Sequence, residues 1–570
     1  MSTDTTTPSA APKPSAVEGI KDQSRFLRGP LAEELQTDTD HFSETAKQLL
    51  KFHGSYQQED RDARKKREKP GVGKAYMFMI RLKLPGGKLT PEQYLAMDDI
   101  CEKYGNSTLR LTTRQSIQFH GVLKKDLKAT IRGFNDVFVS TLGACGDVNR
   151  NVISCSAPTG DPVRVLNQQL ADEIAVHLAP RGGAYHEIWL NGDKVSDPPA
   201  DPETAEPIYG KVYLPRKFKT AFALADDNCT DLLAQCLGFL AVVEGGKPIG
   251  YNLYAGGGQG MTNAKPDTYP CLAQPVCFVE PDEVVAAAEA IVKLYRDHGN
   301  RADRKRARLK YVVHDWGVEK FRNVFARDYW SKPVQLPKDL PITGLDLHHG
   351  WHPQRDGKWF LGLSVENGRV KDEGHSRLRS GLRAIVSRFK CIVRITTQQD
   401  VLLGDISPAD KAGVDSMLNE YGIPRPENLS LVQMWSMACP AIPTCGLAIT
   451  ESERALPGFV DQLEGVLKDL GLADEPISVR MTGCPNGCAR PYQSDVGIVG
   501  RSLNKYTLYI GGDRIGRRLN SELQDLVTHD QLIPKLTTLF RAFKDERQGS
   551  EAFGDYCHRV GIEKLRGLVS

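Results

Sequence analysis

Apolar and polar positions along the chain predict a mixture of strands and helices. Residues 75–84 are largely apolar and end with basic side chains alternating with leucine, which predicts a strand. Thr90, followed by a proline and then by Gln93, marks a helix start, and apolar side chains recur up to Gly105. A further strand is expected over 108–112. Later in the chain the same patterns predict strands over 185–190, 213–224, 478–482 and 506–510, and helices over 283–298 and 455–470.

Two sequence patterns occur twice, in the same order. The segment 110–115, Arg-Leu-Thr-Thr-Arg-Gln, returns at 394–399 as Arg-Ile-Thr-Thr-Gln-Gln. The segment 251–257, Tyr-Asn-Leu-Tyr-Ala-Gly-Gly, returns at 506–512 with five of its seven residues unchanged. The interval is too long for a solenoid repeat, so the order A, B, A′, B′ indicates a tandem duplication. We therefore predict an α+β fold with mixed sheets, in which A and A′ pack as one pseudo-symmetric domain.

The chain has 570 residues, of which 40% are hydrophobic and 25% are charged, and its formal net charge is +3. This composition is that of an ordinary globular protein. No apolar run is long enough to span a membrane. The first residues are rich in Ser, Thr, Pro and Ala and lack the apolar core of a signal peptide. We therefore predict a disordered tail over 1–20 and a cytoplasmic protein that does not bind membranes.

Basic residues are concentrated in two runs, from Arg61 to Lys69 and from Arg301 to Lys310. Each run is either a solvated face or a binding surface for an anionic cofactor, an anionic substrate or an acidic electron-donor protein. No recognised nucleic-acid module accompanies them, so nucleic acid is not predicted as a partner.

Four cysteines carry the strongest chemical signal: Cys439, Cys445, Cys484 and Cys488. They are spaced as Cys-x5-Cys and Cys-x3-Cys, and prolines and glycines place both pairs in loops. Four thiolates can hold a 4Fe–4S cluster, whereas structural zinc usually takes Cys-x2-Cys pairs. The spacing favours the cluster, with a zinc-stapled scaffold or buried free thiols as alternatives. A similar pair, Cys271 and Cys277, lacks a second pair and is interpreted as structural.

The segment 481–490, Met-Thr-Gly-Cys-Pro-Asn-Gly-Cys-Ala-Arg, resembles the cluster-binding signature of sirohaem-dependent nitrite and sulfite reductases. The likeness covers nearly the whole chain beyond residue 20. It implies two cofactors, sirohaem and a 4Fe–4S cluster, with Cys488 bridging the cluster and the sirohaem iron and with Asn486 beside it. It also implies three domains related by a pseudo-two-fold axis. An extension over 21–74 wraps the core, and it is followed by the ferredoxin-like half-domain A over 75–143 and by domain B, with the sirohaem and sulfite pocket, over 144–342. The second repeat comprises half-domain A′ over 343–413 and domain B′, with the cluster and sirohaem, over 414–570.

Sirohaem carries eight carboxylates, so its pocket requires arginine and lysine. By the resemblance, Arg110 and Arg114 contact the macrocycle, with Gln118 and His120 farther along the same motif. A fold-stabilising salt bridge is the alternative role of the arginines. In A′ the second arginine is replaced by Gln398, as expected if only one copy binds a cofactor.

The resemblance assigns four cations to the substrate oxyanion: Arg81, Arg150, Lys217 and Lys219. Strand alternation places Lys217 and Lys219 on one face with Phe218 opposite, so both ammonium groups can face one cavity. Like charges at close range lower the pKa of one lysine and make it a better proton donor. The alternative is a pair of lysines on an exposed strand face.

The resemblance implies assimilatory sulfite reduction, the six-electron conversion of sulfite to hydrogen sulfide. The alternative within the family is reduction of nitrite to ammonia. Lys219 favours sulfite, because the nitrite branch usually has asparagine there and a dianion benefits more from the added charge. The glycine run 256–260 fits a dinucleotide loop poorly, so electrons must come from a partner, either ferredoxin or an NADPH-dependent flavoprotein. A non-catalytic iron–sulfur electron carrier is a remote alternative, disfavoured by the many pocket cations.

Overall fold

The computed structural model describes residues 12–66, 73–181, 189–190, 193–194 and 205–569. Its strands, in chain order, are β1 (Ser55–Glu59), β2 (Tyr76–Arg81), β3 (Lys88–Leu89), β4 (Leu109–Leu111), β5 (Ile117–Val122), β6 (Trp189–Leu190), β7 (Asp193–Lys194), β8 (Thr220–Ala223), β9 (Leu237–Glu244), β10 (Lys247–Ala255), β11 (Gln274–Val279), β12 (Gly350–Pro353), β13 (Trp359–Leu363), β14 (Arg369–Val370), β15 (Asp372–Glu373), β16 (Ser376–Arg377), β17 (Ile392–Ile395), β18 (Val401–Ile406), β19 (Ser436–Ala438), β20 (Val479–Thr482), β21 (Val496–Ser502), β22 (Lys505–Ile510) and β23 (Ser521–Thr528).

The α-helices of the described ranges are interspersed among these strands. They span Ala16–Asp22, Leu31–Glu34, Glu44–Leu50, Arg61–Lys66, Pro91–Tyr104, Leu127–Asp136, Pro162–His177, Val284–His298, Leu309–Trp316, Val318–Val324, Leu378–Phe389, Lys411–Glu420, Leu431–Met434, Leu456–Asp469, His529–Glu546, Phe553–Val560 and Ile562–Val569.

Two five-stranded antiparallel sheets exchange their last strands. The first has the order β1-β2-β5-β4-β14, and the second has the order β12-β13-β18-β17-β3. Strand β14 comes from the second repeat and pairs with β4 of the first, with Arg369 opposite Arg110. Strand β3 comes from the first repeat and pairs with β17 of the second, with Lys88 opposite Arg394. Backbone hydrogen bonds therefore join A and A′ into one body, as the duplication predicts.

Two mixed sheets repeat a second pattern. In the sheet β11-β10-β9-β8, strands β8 and β9 are parallel and the other pairs are antiparallel. In the sheet β19-β20-β21-β22-β23, the first three strands are parallel and the last two are antiparallel to their neighbours. The repeated tyrosine segments begin on β10 and β22, which follow the parallel strands at corresponding places. The duplication detected in the sequence is thus present in the topology.

The helix start at Thr90 forms as predicted. The Thr90 hydroxyl accepts from the Gln93 amide at 3.2 Å, and the Gln93 side chain accepts from the Thr90 amide at 3.0 Å. The helix that follows packs against helix Leu378–Phe389 of the second repeat. Buried Asp98 joins the two helices, because its carboxylate pairs with Arg379 at 2.5 Å and with Arg383 at 2.8 Å.

The N-terminal segment differs from the prediction of a disordered tail over 1–20. Helix Ala16–Asp22 buries Glu18 and Lys21, which pair with each other at 2.6 Å. Lys21 also donates to the Leu214 carbonyl at 2.8 Å, and Arg301 pairs with Glu18 at 2.5 Å. The prediction is therefore wrong for residues 16–20, because these long-range partners hold them in a helix that their amino-acid composition alone does not predict. Residues 1–11 lie outside the described residues.

Two predicted strands need comment. Over 213–224 only β8 is regular; the preceding residues are irregular, and Phe218 forms an isolated bridge with Asn149. Pro215 has no backbone N–H with which to extend the ladder, which explains the shorter strand. The strand predicted over 185–190 lies outside the described residues except for β6. The predicted helices over 283–298 and 455–470 are present within one residue of their expected ends.

Candidate active site

The two cysteine pairs meet because they follow neighbouring parallel strands. Cys439 comes directly after β19, and Cys484 comes two residues after β20, the parallel partner of β19. The carboxyl ends of parallel strands lie at the same edge of a sheet, so the two loops face each other. The Gly483 amide donates to Cys439 Sγ at 3.3 Å and fixes this approach. A Cβ at Gly483 would lie 2.5 Å from the Thr450 carbonyl oxygen, so the close packing requires glycine.

The thiol environments suit a cationic centre. Cys439 and Cys484 are buried, Cys445 is half-buried and Cys488 is exposed. Burial raises the pKa of Cys439, and it raises the pKa of Cys484 to about 12; the nearby Cys488 thiolate opposes ionisation of both. Four thiolates this close repel one another unless a cation offsets their charge, and iron provides that cation. The four donors therefore fit a 4Fe–4S cluster.

Hydrogen-bond donors accompany the sulfur atoms. Besides the Gly483 amide on Cys439, the Asn486 side chain donates to Cys484 Sγ at 3.5 Å. Arg61 donates to the Ala448 carbonyl at 2.6 Å and so holds the end of the first cysteine loop. Donors near cluster sulfurs tune the potential of a cluster, and the sulfur that Asn486 contacts is that of Cys484 rather than that of Cys488.

The four predicted substrate cations surround one region. The Cys488 thiolate acts electrostatically on Arg81, Lys217 and Lys219, which places these side chains near its sulfur. Arg81 donates to Cys145 Sγ at 3.0 Å. Arg150 donates to the carbonyls on either side of Cys145, at 2.7 Å to Gly146 and 3.2 Å to Ala144. Arg81 and Arg150 therefore meet at one turn.

The lysine pair keeps its predicted alternation although its segment is irregular. Phe218 is buried, whereas Lys217 and Lys219 are half-buried on the other side. Burial, together with the positive charges of Arg114 and Arg308, lowers the pKa of Lys219 to about 7. Burial and Arg308 also hold the pKa of Lys217 well below its usual range. The groups that act most strongly on both lysines are cationic side chains and thiols rather than carboxylates, so the region attracts anions.

Arg114 contributes a cation bound only to neutral acceptors. Its guanidinium donates to the Asn151 carbonyl at 2.7 Å, the Thr220 carbonyl at 2.8 Å and the Gln235 side chain at 2.6 Å. Burial lowers its pKa to about 9. An anionic ligand would offset this charge, so the position fits the predicted contact with a carboxylate-rich macrocycle.

Arg110 has a different environment. Strand register aligns Arg81, Gln118, Arg110 and Arg369 across the first sheet. Arg110 is 1% exposed, pairs with Glu453 at 2.9 Å and donates to the Ala438 carbonyl at 2.7 Å. These contacts correspond to the alternative role, a salt bridge that holds the sheet against the residue preceding Cys439.

Gln118 and His120 are both buried on β5, where His120 Nε2 lies 3.3 Å from the Gln118 side-chain amide, and the Gln118 side-chain oxygen accepts from the Arg81 guanidinium. Burial holds the pKa of His120 well below its usual range, and Arg369 lowers it further, so the imidazole is neutral.

Sequence reasoning missed three buried cations, Arg308, Lys310 and Arg490. Arg490 pairs with Asp231 at 2.5 Å and donates to the Thr397 carbonyl at 2.9 Å, which links the cluster loop to the repeated motif of A′. In the sequence, only the position of Arg490, two residues after Cys488, could have indicated that it belongs to the site.

The basic run Arg301–Lys310 is mainly an internal feature. Arg301 pairs with Glu18 and Arg304 with Asp147, and Arg308 and Lys310 are buried. A solvated face or donor-protein surface is therefore ruled out for Arg308 and Lys310, whereas residues 301–306 are exposed or half-buried in a loop. Lys310 donates to the Gly260 carbonyl at 2.7 Å.

The glycine run 256–260 packs over the cluster loop. The amide of Met261 donates to the Pro485 carbonyl at 3.0 Å, and a Cβ at Gly260 would lie 3.1 Å from the Asn486 carbonyl oxygen. Glycine here serves close packing against the cysteine loop. Among the described ranges, no helix combines the length and apolarity needed to cross a membrane.

Comparisons with known proteins agree with this geometry. The family model for the nitrite and sulphite reductase 4Fe-4S domain matches residues 170–334 and 437–570. The model for the nitrite/sulfite reductase ferredoxin-like half domain matches residues 71–137 and 352–421. Both models match twice, in the order expected from the duplication.

Curated relatives extend over nearly the whole chain. A sulfite reductase [ferredoxin] from Synechococcus elongatus is 45% identical, covering 98% of this chain and 92% of the relative. A sulfite reductase [NADPH] hemoprotein beta-component from Chromohalobacter salexigens is 43% identical, covering 96% and 95%. The solved structure of Mycobacterium tuberculosis NirA protein matches with a TM-score of 0.79 at 24% identity, covering 97% of this chain and 98% of that one, and it confirms the fold class. The chain belongs to the nitrite and sulphite reductase family.

Proposed function

We propose that this chain is an assimilatory sulfite reductase, which reduces sulfite to sulfide with a sirohaem and a 4Fe–4S cluster. The observation that carries the proposal is the group of cations Arg81, Lys217 and Lys219, which interact electrostatically with Cys488, together with Arg150 at the turn that also holds Arg81. Lys219 favours a dianionic substrate over nitrite, and relatives named sulfite reductase at 45% and 43% identity support the same substrate.

The residues present fit both cofactors. Cys439, Cys445, Cys484 and Cys488 would hold the cluster, and Cys488, the exposed thiol, would also be a ligand to the sirohaem iron. Arg114 would pair with a sirohaem carboxylate, since its own partners are uncharged. When bound, the two groups would transfer electrons from the donor protein one at a time, six in all, to take sulfur from +4 to −2.

The side chains bind the anion and deliver protons. Arg81 and Arg150 are positioned by the turn around Cys145 and neutralise the oxygens of sulfite. Each oxygen that leaves as water needs two protons. With a pKa lowered to about 7, Lys219 exists in both protonation states near neutrality, so it can donate a proton and be reprotonated from solvent.

The electrons come from a donor protein, because the glycine run that might have bound a dinucleotide packs over the cluster loop instead. Relatives of both the ferredoxin and the NADPH classes support either ferredoxin or a flavoprotein as that donor. All thirteen cysteines are free thiols, which suits the reducing cytoplasm.

The test is to measure kcat/KM for sulfite and for nitrite with one artificial low-potential donor and one preparation. We expect sulfite turnover to dominate, with sulfide as the product. Dominant nitrite turnover would keep the family and cofactors and overturn the choice of substrate. Iron-loaded protein that reduces neither anion would favour an electron carrier.

Arg114→Ala should reduce sirohaem occupancy rather than the rate per loaded site. Losing a charge-assisted hydrogen bond costs about 1.5–3 kcal/mol, so we expect sirohaem binding to weaken about tenfold or more. Haem absorbance per chain and turnover per haem measure the two quantities.

Arg394→Ala, in the duplicated motif, is the matched control and should load normally. Arg114→Lys keeps the positive charge but removes the forked guanidinium, so its sirohaem occupancy shows whether the charge or the shape of the side chain matters. A fully loaded but inactive Arg114→Ala protein would contradict the role.

A further inference from the structure

A second group of metal-binding side chains lies apart from the four cluster cysteines. Cys155, Asp227, Cys229 and His348, here called the buried quartet, place one donor atom each within 4.8 Å of all the others. All four residues are buried. Their separation in the sequence is large, with only Asp227 and Cys229 close together.

We propose that the buried quartet binds one zinc ion. Cys155 Sγ lies 3.3 Å from both His348 Nε2 and Asp227 Oδ2, and those two atoms are 3.1 Å apart. Zinc bonds of about 2.3 Å to sulfur and about 2.0 Å to nitrogen and oxygen, arranged tetrahedrally, require donor separations of roughly 3.3–3.8 Å, the longest being that between the two sulfur atoms. A zinc ion therefore needs only small outward shifts of these three donors, and the donor atom of Cys229 lies within 4.8 Å of each of them.

The surrounding hydrogen bonds aim the donor atoms inward. Asp227 Oδ1 accepts from the Cys229 amide at 3.2 Å and from the Asp346 amide at 3.3 Å. These two hydrogen bonds orient the carboxylate so that its other oxygen, Oδ2, faces Cys155 Sγ. The Asp346 carboxylate accepts from the His348 amide at 2.7 Å and lies 3.4 Å from His348 Nδ1. A carboxylate behind a histidine fixes the tautomer that presents Nε2 to a metal.

The charges balance around a divalent cation. Two thiolates and the Asp227 carboxylate with Zn²⁺ give a net charge of −1. Arg164 Nη2 lies 3.1 Å from Asp227 Oδ2 and supplies the remaining positive charge. A carboxylate oxygen has two lone pairs, so Oδ2 can serve both Arg164 and the metal. Thiolate and imidazole ligands favour zinc over magnesium or calcium.

Four protein ligands in a buried setting make this a structural site rather than a catalytic one. Cys155 and the Asp227–Cys229 loop belong to B, whereas His348 precedes β12 of A′. The Cys229 carbonyl also accepts from Gln398 Nε2 at 3.1 Å, within the repeated motif of A′. The zinc ion would fasten these two parts of the chain.

The experiment is metal analysis and zinc K-edge X-ray absorption on the holoenzyme, purified without chelator from zinc-containing medium. We expect one zinc per chain, with two sulfur ligands at about 2.3 Å and two lighter ligands. Zinc with four sulfur ligands would place it on the cluster cysteines and overturn the proposal. A holoenzyme that contains no zinc and takes up none from added Zn²⁺, or that carries a Cys155–Cys229 disulfide, would overturn it as well.

Cys229→Ser provides the variant test. We expect it to lose the zinc while retaining the iron and sulfide of the wild-type holoenzyme. Cys277→Ser, which changes a buried thiol on β11, is the matched control and should keep the zinc. Retention of a full zinc by Cys229→Ser would contradict the assignment. If Cys229→Ser does not fold, the wild-type absorption spectrum decides.

Discussion

Cys488→Ser should yield a folded protein that has lost the 4Fe–4S cluster and the sirohaem together, with sulfite turnover at background. A neutral serine hydroxyl cannot replace a thiolate as a ligand that serves two iron centres. Cys439, Cys445 and Cys484 alone would leave one iron of the cluster without a protein sulfur. Iron, acid-labile sulfide and the haem absorption band measure the three losses.

Helical circular dichroism separates loss of the cofactors from misfolding. It should be unchanged in Cys488→Ser, because the substitution alters one side chain in the loop between β20 and β21. Cys391→Ser, at a fully buried thiol, is the control and should keep both cofactors. A normal haem spectrum in Cys488→Ser would contradict the proposal that Cys488 bridges the cluster and the sirohaem iron.

Lys219→Asn should lower kcat/KM for sulfite by about 100-fold or more, as removal of a positioned charge-stabilising group commonly does. The loss for nitrite should be smaller, because nitrite carries one negative charge and has fewer oxygens to neutralise. The variant also removes a group whose pKa is lowered to about 7 and which can donate protons near neutrality.

Lys211→Asn is the control for Lys219→Asn. Lys211 lies on the same segment, with its side chain 51% exposed and paired with Asp22, and its replacement should leave both rates unchanged. Equal losses for the two anions in Lys219→Asn would mean that Lys219 does not select the substrate. The ratio of the two kcat/KM values, rather than either rate alone, is the informative quantity.

The sequence predicted those features that depend on local patterns or repetition. The capping box at Thr90 and the cysteine pairs are local, and the repeated motifs revealed the duplicated α+β fold, which the family comparison confirms. The lysine alternation around Phe218 also holds, although Pro215 shortens the strand. The domain boundaries stay a prediction, as do the roles of the individual site residues.

The features that the sequence did not predict depend on residues that are far apart in the chain. No local pattern shows that Arg110 pairs with Glu453, or that Arg301 pairs with Glu18 and orders a segment expected to be disordered. Likewise, the spacing of Cys155, Asp227 and His348 matches no metal motif, because three separate parts of the chain bring them together. Charge pairing across hundreds of residues is decided by topology, which a linear pattern does not contain.

The exchange of β3 and β14 has a consequence for how the protein is made. Strand β4 is synthesised by residue 111, but its partner β14 begins at residue 369. At ordinary translation rates this leaves one flank of the first sheet unpaired on the ribosome for on the order of tens of seconds. An open strand edge invites wrong pairing, so the nascent chain should need chaperone protection until A′ emerges. The same exchange means that a gene fragment ending before residue 369 should give an aggregation-prone product rather than an autonomous half.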